Sequence, residues 1–381
     1  MDGQWELDDV HRDFQASCRA FVDKRVRPLV DDAEREGRFP EQLWKELGDA
    51  DLLGLLTSEE HGGSAADGLA VTLLAEELAR ASGGIAVTVL VSAYMAAPHI
   101  VHHGTSAQQL RYLPGLVSGE KVAAIAVTEP GAGSDVASLT STARHDGDGW
   151  ILSGRKMFIT NAGLADVIIV GARTGGPGRA GITTFLVDAG TPGLSMGRPL
   201  AKMGWHSSDT REVVLDDVRL GPDAVLGETG RGFYQIMDAF QLERVVLAAM
   251  GVGHAAECLA VAKEHVLARE AFGAPLAHLQ TIRHKLAEMA VDLDVARLIT
   301  YQAAGRMDAG HPDAGRTVAT AKFFAAKAAN RIVDDAVQLF GGSGFVEESP
   351  VARHYRDARI LRIGGGTDEI QLEILSRELA R

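Results

Sequence analysis

The chain has 381 residues, 46% hydrophobic and 23% charged, which is typical of a globular protein with two or three packed units. Its formal charge of -13, without a basic stripe, argues against nucleic acid as the main partner. The two cysteines, Cys18 and Cys258, form neither a disulfide framework nor a Cys-rich zinc site, and each fits a helical core pattern. The start, Met1–Glu6, lacks the apolar core of a signal peptide. We therefore expect a reduced, cytoplasmic protein.

Residues 1–120 are predicted to form an all-α domain, because their apolar residues mostly recur at helical spacing. Gly62-Gly63 and Gly83-Gly84 are predicted to lie in loops. The longest apolar run, Ile85–Val101, is interrupted by polar residues and Pro98, so it indicates a buried helix and no membrane span. His102-His103 could suggest a metal site, but adjacent side chains diverge on a helix, and no metal is expected.

Residues 121–230 change to short apolar segments that predict a β domain. A hairpin is predicted around Asp146–Gly149, and further strands at 122–127, 166–173, 181–188 and 211–220. Because no helical segment separates these strands, the pattern favours an antiparallel barrel or sandwich.

Residues 231–381 return to long helical periods. Segments 276–308 and 313–340 are long enough for a helical bundle. The predicted fold is therefore a multidomain α+β chain: an N-terminal helical domain, a central antiparallel β-barrel and a C-terminal four-helix bundle.

Three glycine loops are candidate binding elements. Thr128–Asp135 follows an apolar strand, and its glycines would let backbone N–H groups approach a phosphate or a flavin edge. A structural turn explains such an octapeptide about as well. The other two loops are Gly341–Gly344 and Gly364–Thr367, and Thr367 is predicted to cap a helix that starts near Asp368.

The segment Lys156–Asn161 ends the second strand of the predicted hairpin. Phe158 and Thr160 are two positions apart, so a regular strand would place both on one face. Phe158 could then cover a planar ring while Thr160 hydrogen-bonds its edge. A packed strand face is an equal alternative.

Taken in order, these motifs resemble the acyl-CoA dehydrogenase family over essentially the whole chain. Ala126–Asp135 and Lys156–Asn161 resemble its two flavin motifs, and Arg269–Gly273 with Gln280 resembles the segment that reaches the FAD of a neighbouring subunit. Gln338–Gly342 resembles its adenosine-side loop.

The resemblance implies non-covalent FAD, a homotetramer or homodimer, an acyl-CoA substrate and electron transfer to an electron-transfer flavoprotein. It also implies a place in fatty-acid or branched-chain amino-acid catabolism. Carried over by position, the FAD-binding residues are Ile125, Ala126, Val127, Thr128, Gly133, Ser134, Phe158, Ile159, Thr160, Arg269, Phe272, Gln280, Gln338, Leu339, Phe340, Gly341, Gly342, Thr367, Asp368 and Glu369. The substrate-binding residues are Ser134, Tyr234, Gln241, Leu242, Glu243, Arg244, Gly365 and Gly366.

The implied reaction needs a base for the α-proton, and the β-hydride would pass to flavin N5. Many family members carry the base directly before the Gly-Thr of the C-terminal loop, but here that position is Gly365. Glu243 occupies the alternative base position of isovaleryl- and long-chain-type members. On the residues alone, the commoner interpretation of Glu243 is an exposed helix carboxylate paired with Arg244 or another basic residue, although its apolar flanks weaken that interpretation.

Alternatives remain for the role of the chain. An acyl-CoA oxidase could carry the same residues, and the glycine at 365 allows a non-catalytic flavin-binding homologue. Tyr234 could be a core residue, and Arg244 is structural by default. The isovaleryl-like pattern favours a short branched or medium acyl chain, bound to CoA or to a carrier protein.

Overall fold

The computed structural model describes residues 7–380, so the N-terminal hexapeptide Met1–Glu6 lies outside the described residues. Along the chain, helices are followed by a mixed β-sheet and then by long helices. The predicted fold class is confirmed in this order.

The N-terminal part is helical because its apolar residues form stripes that pack on one another. Its helices are α1 (Asp9–Phe21), α2 (Val30–Glu36), α3 (Gln42–Asp49), α4 (Gly68–Ala81), α5 (Gly83–Leu90), α6 (Ala97–His103) and α7 (Ser106–Ser118). A π-helical turn, Val91–Ala96, joins α5 to α6. The predicted buried helix over 85–101 is confirmed, and Cys18 is a free, buried core residue, as is Cys258 further along the chain.

The prediction that Gly83-Gly84 lies in a loop is wrong. Ser82 caps α5 by accepting a hydrogen bond from the N–H of Ile85 at 3.2 Å, and the two glycines form the first helical turn. A Cβ on Gly83 would lie 2.6 Å from Trp205 Nε1. Close packing, and not a turn, therefore accounts for this glycine pair.

The central part is an eight-stranded sheet whose path runs in the order β6-β7-β3-β2-β4-β5-β8, with β1 paired to β4. The strands are β1 (Ala123–Ala126), β2 (Thr142–Asp146), β3 (Gly149–Thr160), β4 (Val167–Arg173), β5 (Ile182–Asp188), β6 (Leu194–Met196), β7 (Thr210–Leu220) and β8 (Val225–Leu226). The predicted hairpin is present as β2–β3.

Two details of the predicted β domain are corrected. Within residues 7–380 the sheet does not close into a barrel, because β6 and β8 end its path without pairing with each other. Strand β1 runs parallel to β4, with the β2–β3 hairpin between them in sequence. The connection between these parallel strands thus contains a hairpin and no α-helix, so the absence of helical segments did not indicate a purely antiparallel sheet.

The C-terminal part is a helical bundle. Its helices are α8 (Gly232–Ala268), α9 (Gln280–Asp308), α10 (Ala314–Phe340), α11 (Pro350–Ala358) and α12 (Asp368–Leu379). The three long helices pack pairwise, α12 packs on α10, and α4 packs along α8. The first and last helical regions therefore share one apolar core.

Two helical stretches, Gly83–His103 and Gly232–Ala268, are long and apolar enough to cross a membrane. Their most apolar windows are 94% and 72% buried inside the protein, as expected of core helices.

Between α8 and α9 lies a small hairpin of β9 (Glu270–Ala271) and β10 (Ala274–Pro275). Its two turn residues, Phe272 and Gly273, both have left-handed backbone angles (φ 53° and 82°), as a tight primed turn requires. The Phe272 side chain is 98% exposed at the tip.

Candidate active site

Glu243 lies in the first third of α8, on a turn whose other residues belong to the core. Leu242, Val245 and Val246 are buried, whereas the Glu243 side chain keeps part of its surface accessible although it lies deep among protein atoms. No hydrogen bond or ion pair to its carboxylate is found among residues 7–380, so the expected alternative of local pairing with Arg244 is not what the structure contains. Burial raises the pKa of Glu243 to about 7, against the opposing charges of Arg244 and Lys322.

Gly365 lies directly beside this carboxylate. A Cβ built on Gly365 would be 3.5 Å from Glu243 Oε1 and only 2.5 Å from Leu247 Cδ1. The backbone of Gly365 is left-handed (φ 62°), a conformation that favours glycine. Residues 243 and 365, the two alternative positions for the base, thus face the same space. Of these two positions, only residue 243 is a carboxylate in this chain.

Arg244 points to the same loop, because its Nε donates to the Gly365 carbonyl at 3.2 Å. The structure therefore gives Arg244 a role in holding the loop. Neighbouring Gln241 is half-buried and its amide oxygen has no partner within the described residues.

Lys322 on α10 is a site residue that sequence reasoning missed. It is fully buried, and its Nζ donates to the Gly366 carbonyl at 2.5 Å. Burial lowers its pKa to about 8, while Asp368 and Glu243 act in the opposite direction. The available signal was a lysine in a helical turn of small apolar residues, Val318, Ala319, Ala325 and Ala326.

The predicted cap at Thr367 is confirmed: its hydroxyl accepts a hydrogen bond from the N–H of Ile370 at 3.4 Å. Asp368 is buried and pairs with Arg362 at 2.7 Å, while Glu369 is exposed. The three residues predicted to contact FAD here thus lie at the N-terminus of α12, directly after Gly366.

A second group of predicted residues lies at the end of β1 and in the loop that follows it. Glu129 and Lys156 form a buried ion pair at 2.8 Å, and Lys156 Nζ also donates to the carbonyls of Val127 and Gly171. Burial opposes ionisation of Glu129, but the Lys156 charge and hydrogen bonds from Thr140 and Ser141 lower its pKa to about 2. This pair joins the two predicted flavin motifs.

Phe158 breaks the regular alternation that the sequence suggested. The register between β3 and β7 shifts between Lys156 and Ile159, and Phe158 has a left-handed backbone (φ 60°) with a 64% exposed side chain. Strand β3 is therefore not regular at Phe158, because a bulge intervenes, and the shared face of Phe158 and Thr160 stays a prediction. Ile159 is buried and Thr160 half-buried.

The Thr128–Asp135 loop and the start of α8 are neighbours. Ala132 and Phe233 belong to one small apolar cluster, which brings exposed Ser134 into the region of Tyr234. The Arg231 guanidinium lies 4.6 Å from the centre of the Tyr234 ring. Tyr234 is 38% exposed, so it is not a buried core residue.

The remaining predicted residues lie at the opposite end of α8. The rings of His265 and Phe340 stack at 4.2 Å, which brings the Gln338–Gly342 segment next to the helix end that leads to Arg269. Arg269, Phe272 and Gln280 are all exposed. Glu243 and Arg269 are 26 positions apart, so along a continuous α-helix they are separated by roughly 39 Å.

The open loops have room for a bound group such as FAD. A Cβ on Gly131, Gly133, Gly341 or Gly342 would have no other atom within 4 Å. With the exposed Phe158 ring and the hydroxyls of Thr128, Ser134 and Thr160, this chemistry fits a planar ring with polar edges and phosphates.

Three domain models of one family match successive parts of the chain. Residues 8–120 match the acyl-CoA dehydrogenase N-terminal domain, residues 124–218 the middle domain and residues 230–380 the C-terminal domain.

Individual relatives cover the chain almost completely. The mitochondrial isovaleryl-CoA dehydrogenase of Oryza sativa is 38% identical over 98% of this chain and 92% of its own length. The structure of butyryl-CoA dehydrogenase from Megasphaera elsdenii is 39% identical, covers all of both chains and has a TM-score of 0.96. The FAD complex of PigA is 30% identical over all of this chain and 99% of its own, with a TM-score of 0.95.

Proposed function

Because the chain belongs to the acyl-CoA dehydrogenase family, whose enzymes use FAD, we propose that it oxidises a short or branched acyl-CoA with Glu243 as the α-proton base. The observation that carries this proposal is the position of Glu243. It is a deep, unpaired carboxylate beside the glycine that stands at the family's other base position.

A base for a weakly acidic C–H group works best when its pKa lies near the working pH. Burial raises the pKa of Glu243 to about 7, and the absence of a bonded cation among the described residues leaves its oxygens free to accept a proton. As the proton leaves, negative charge develops on the thioester oxygen and requires fixed donors. Backbone N–H groups of the Gly365–Thr367 loop are suited to this, because they have no acceptor within residues 7–380.

FAD, when bound, supplies the acceptor for the β-hydride. We propose that its ring end is held by the Thr128–Ser134 loop with Phe158, Ile159 and Thr160, and that Ile125–Val127 and Thr367–Glu369 border it. The Glu129–Lys156 ion pair supports this assignment, because it fixes both loops relative to each other.

A second copy of the chain would complete the FAD site. The predicted FAD contacts near the far end of α8 are Arg269, Phe272, Gln280 and Gln338–Gly342. They are too distant from Glu243 to bind the same FAD molecule that lies beside Glu243. The fully exposed Phe272 at a rigid hairpin tip is suited to insertion into a neighbour. We therefore propose a homo-oligomer, a tetramer or a dimer, with an electron-transfer flavoprotein as its redox partner.

We propose that the acyl-CoA site is lined by Ser134, Tyr234, the Gln241–Arg244 turn and Gly365-Gly366. An acidic chain needs local cations for an anionic ligand, and Arg231 beside Tyr234 supplies one. A short or branched chain is supported by the isovaleryl-CoA and butyryl-CoA dehydrogenases among the relatives. The domain boundaries near 120 and 230, and a cytoplasmic location, remain predictions.

The test is anaerobic mixing of the FAD-loaded protein with acyl-CoAs of increasing length and branching, followed by flavin absorbance. We expect rapid bleaching, fastest with short or branched chains, and a loss of about 10²–10⁴-fold in rate for Glu243→Gln. Reoxidation by air that keeps pace with reoxidation by electron-transfer flavoprotein would indicate an oxidase. Near-wild-type bleaching by Glu243→Gln with FAD bound would exclude Glu243 as the base.

A further inference from the structure

The most unusual charge near the site is Lys322. Its ammonium is fully buried in the middle of α10, and within residues 7–380 it forms no ion pair with a carboxylate. Burying an ammonium group without a paired anion lowers the stability of the fold. Its hydrogen bond to the Gly366 carbonyl at 2.5 Å offsets only part of this cost, so a functional role for Lys322 is worth considering.

The loop that Lys322 holds is fixed by three side chains. The Gly365 carbonyl accepts from Arg244 Nε at 3.2 Å and from Gln371 Nε2 at 3.3 Å. The Gly366 carbonyl accepts from Lys322 Nζ and from Gln371 Nε2 at 3.0 Å. Both glycines have left-handed backbones, with φ values of 62° and 95°.

Fixing these carbonyls also fixes N–H groups. A peptide unit is planar and trans, so its N–H points away from its C=O. Holding the carbonyls of Gly365 and Gly366 therefore sets the directions of the N–H groups of Gly366 and Thr367. Neither N–H has an acceptor in the described part of the chain, so both are available to a ligand.

Lys322 also acts on Glu243 through its charge. The Lys322 charge favours the ionised form of Glu243, and Glu243 in turn favours the charged form of Lys322. Because no hydrogen bond joins the two groups among the described residues, Lys322 can favour the carboxylate without occupying the oxygens that must accept a proton.

We propose that Lys322 is a positioning residue of the reaction: it orients the free N–H groups of the Gly365–Thr367 loop toward the thioester oxygen. This inference rests on the proposed role of Glu243. Lys322 acts through this loop, because its ammonium is hydrogen-bonded to the Gly366 carbonyl.

The test compares Lys322→Met, which loses both charge and hydrogen bond, with Lys322→Gln, which loses the charge but keeps a donor. Lys327→Met is the matched control, because Lys327 is an exposed lysine on the same helix. Two readouts are used. One is the pH midpoint at which flavin reduction by butyryl-CoA becomes slow. The other is amide hydrogen exchange of residues 364–368 in FAD-loaded protein without substrate.

For Lys322→Met we expect the midpoint to move to higher pH, the rate at pH 7 to fall about 10²-fold, and loop exchange to become about tenfold faster. Lys322→Gln should move the midpoint with a smaller change in exchange, and Lys327→Met should change neither. A folded Lys322→Met protein with unchanged midpoint and exchange would overturn the proposal. If Lys322→Met does not fold, Lys322→Gln decides by the same two readouts.

The exchange measurement separates this proposal from the assignment of the base. Exchange is measured without substrate, so it reports on the loop whatever group takes the α-proton. Full activity of Glu243→Gln together with faster exchange in Lys322→Met would remove Glu243 as the base and with it the charge effect, while the hold on the loop would stand. Unchanged amide hydrogen exchange in every folded Lys322 variant would show that Lys322 does not hold the loop.

Discussion

Two regions of this molecule bury a lysine and a glutamate beside a glycine-containing loop, and they differ in one respect. In the β domain, Lys156 and Glu129 touch at 2.8 Å, and the pKa of Glu129 falls to about 2. In the helical bundle, Lys322 bonds to a carbonyl, no bond joins it to Glu243 within the described residues, and the pKa of Glu243 rises to about 7. A carboxylate in direct contact with a lysine stays ionised and serves the structure. A buried carboxylate that is not bonded to the nearby lysine can instead take up a proton near neutral pH.

The largest expected effect on stability comes from Glu129→Gln. Removing one partner of a buried ion pair leaves the Lys156 ammonium uncompensated, so the free energy of unfolding should fall by about 3–5 kcal/mol. Urea denaturation measures this. Glu212→Gln is the control, because Glu212 pairs at 3.5 Å with Arg155, whose side chain is exposed. A change of at most about 1 kcal/mol is expected for this variant. Equal losses for the two variants would contradict the comparison.

The second effect is on the pH dependence of the rate. Glu243 can accept a proton only when ionised, so flavin reduction should fall about tenfold per pH unit below pH 7. Glu129, with its pKa near 2, stays ionised throughout and adds no such limb. Stopped-flow absorbance between pH 5 and pH 8 measures the profile, and a flat profile would show that the base is not a carboxylate of raised pKa.

The third effect is on stability and has the opposite sign to the first. The pKa of Glu243 is raised on folding, so ionising it costs stability as the pH rises from its ordinary value of 4.5 to about 7. Glu243→Gln cannot ionise, and it should be more stable than the wild type by about 3 kcal/mol at pH 8, with a difference below about 1 kcal/mol at pH 5. Thermal unfolding at both pH values tests this. A variant less stable than wild type at pH 8 would mean that the carboxylate is paired after all.

The smallest effect concerns Phe158. If its exposed ring covers the flavin, Phe158→Ala should weaken FAD binding by about 0.5–1.5 kcal/mol and leave the pH midpoint of flavin reduction unchanged. Fluorescence titration of the FAD-free protein measures the dissociation constant. Leu110→Ala, which removes another exposed apolar side chain, should have no effect on it. A Phe158→Ala protein that binds FAD as tightly as wild type would exclude this contact.

Sequence patterns predicted what depends on local periodicity. The long helices around Glu243, the β2–β3 hairpin and the Thr367 cap all follow from apolar spacing and turn residues, and the structure contains them. Glu243 was predicted as the base through resemblance together with its apolar flanks, and that role stays a prediction.

What the sequence could not predict depends on contacts between distant residues. Lys322 meets a carbonyl 44 positions away, and only the packing of α10 against the last loop brings the two together. The bulge at Phe158 and the parallel pairing of β1 with β4 depend likewise on which strand lies alongside. The burial of Gly83 depends on Trp205, which arrives from the β domain.

The proximity of Leu247 to Gly365 limits which substitutions residue 365 can accept during evolution. The Cβ of a carboxylate residue at 365 would lie 2.5 Å from Leu247 Cδ1, so the end of that side chain would have to shift, and residue 365 would also have to adopt a left-handed backbone. The end of the Leu247 side chain can move, or a smaller residue at 247 can make room, but the left-handed backbone at 365 remains a cost of that substitution. Glu243 can be discarded only afterwards, because until then it is the only carboxylate in that space. Transfer of the proposed base from one wall to the other thus requires a stage in which both positions carry a carboxylate.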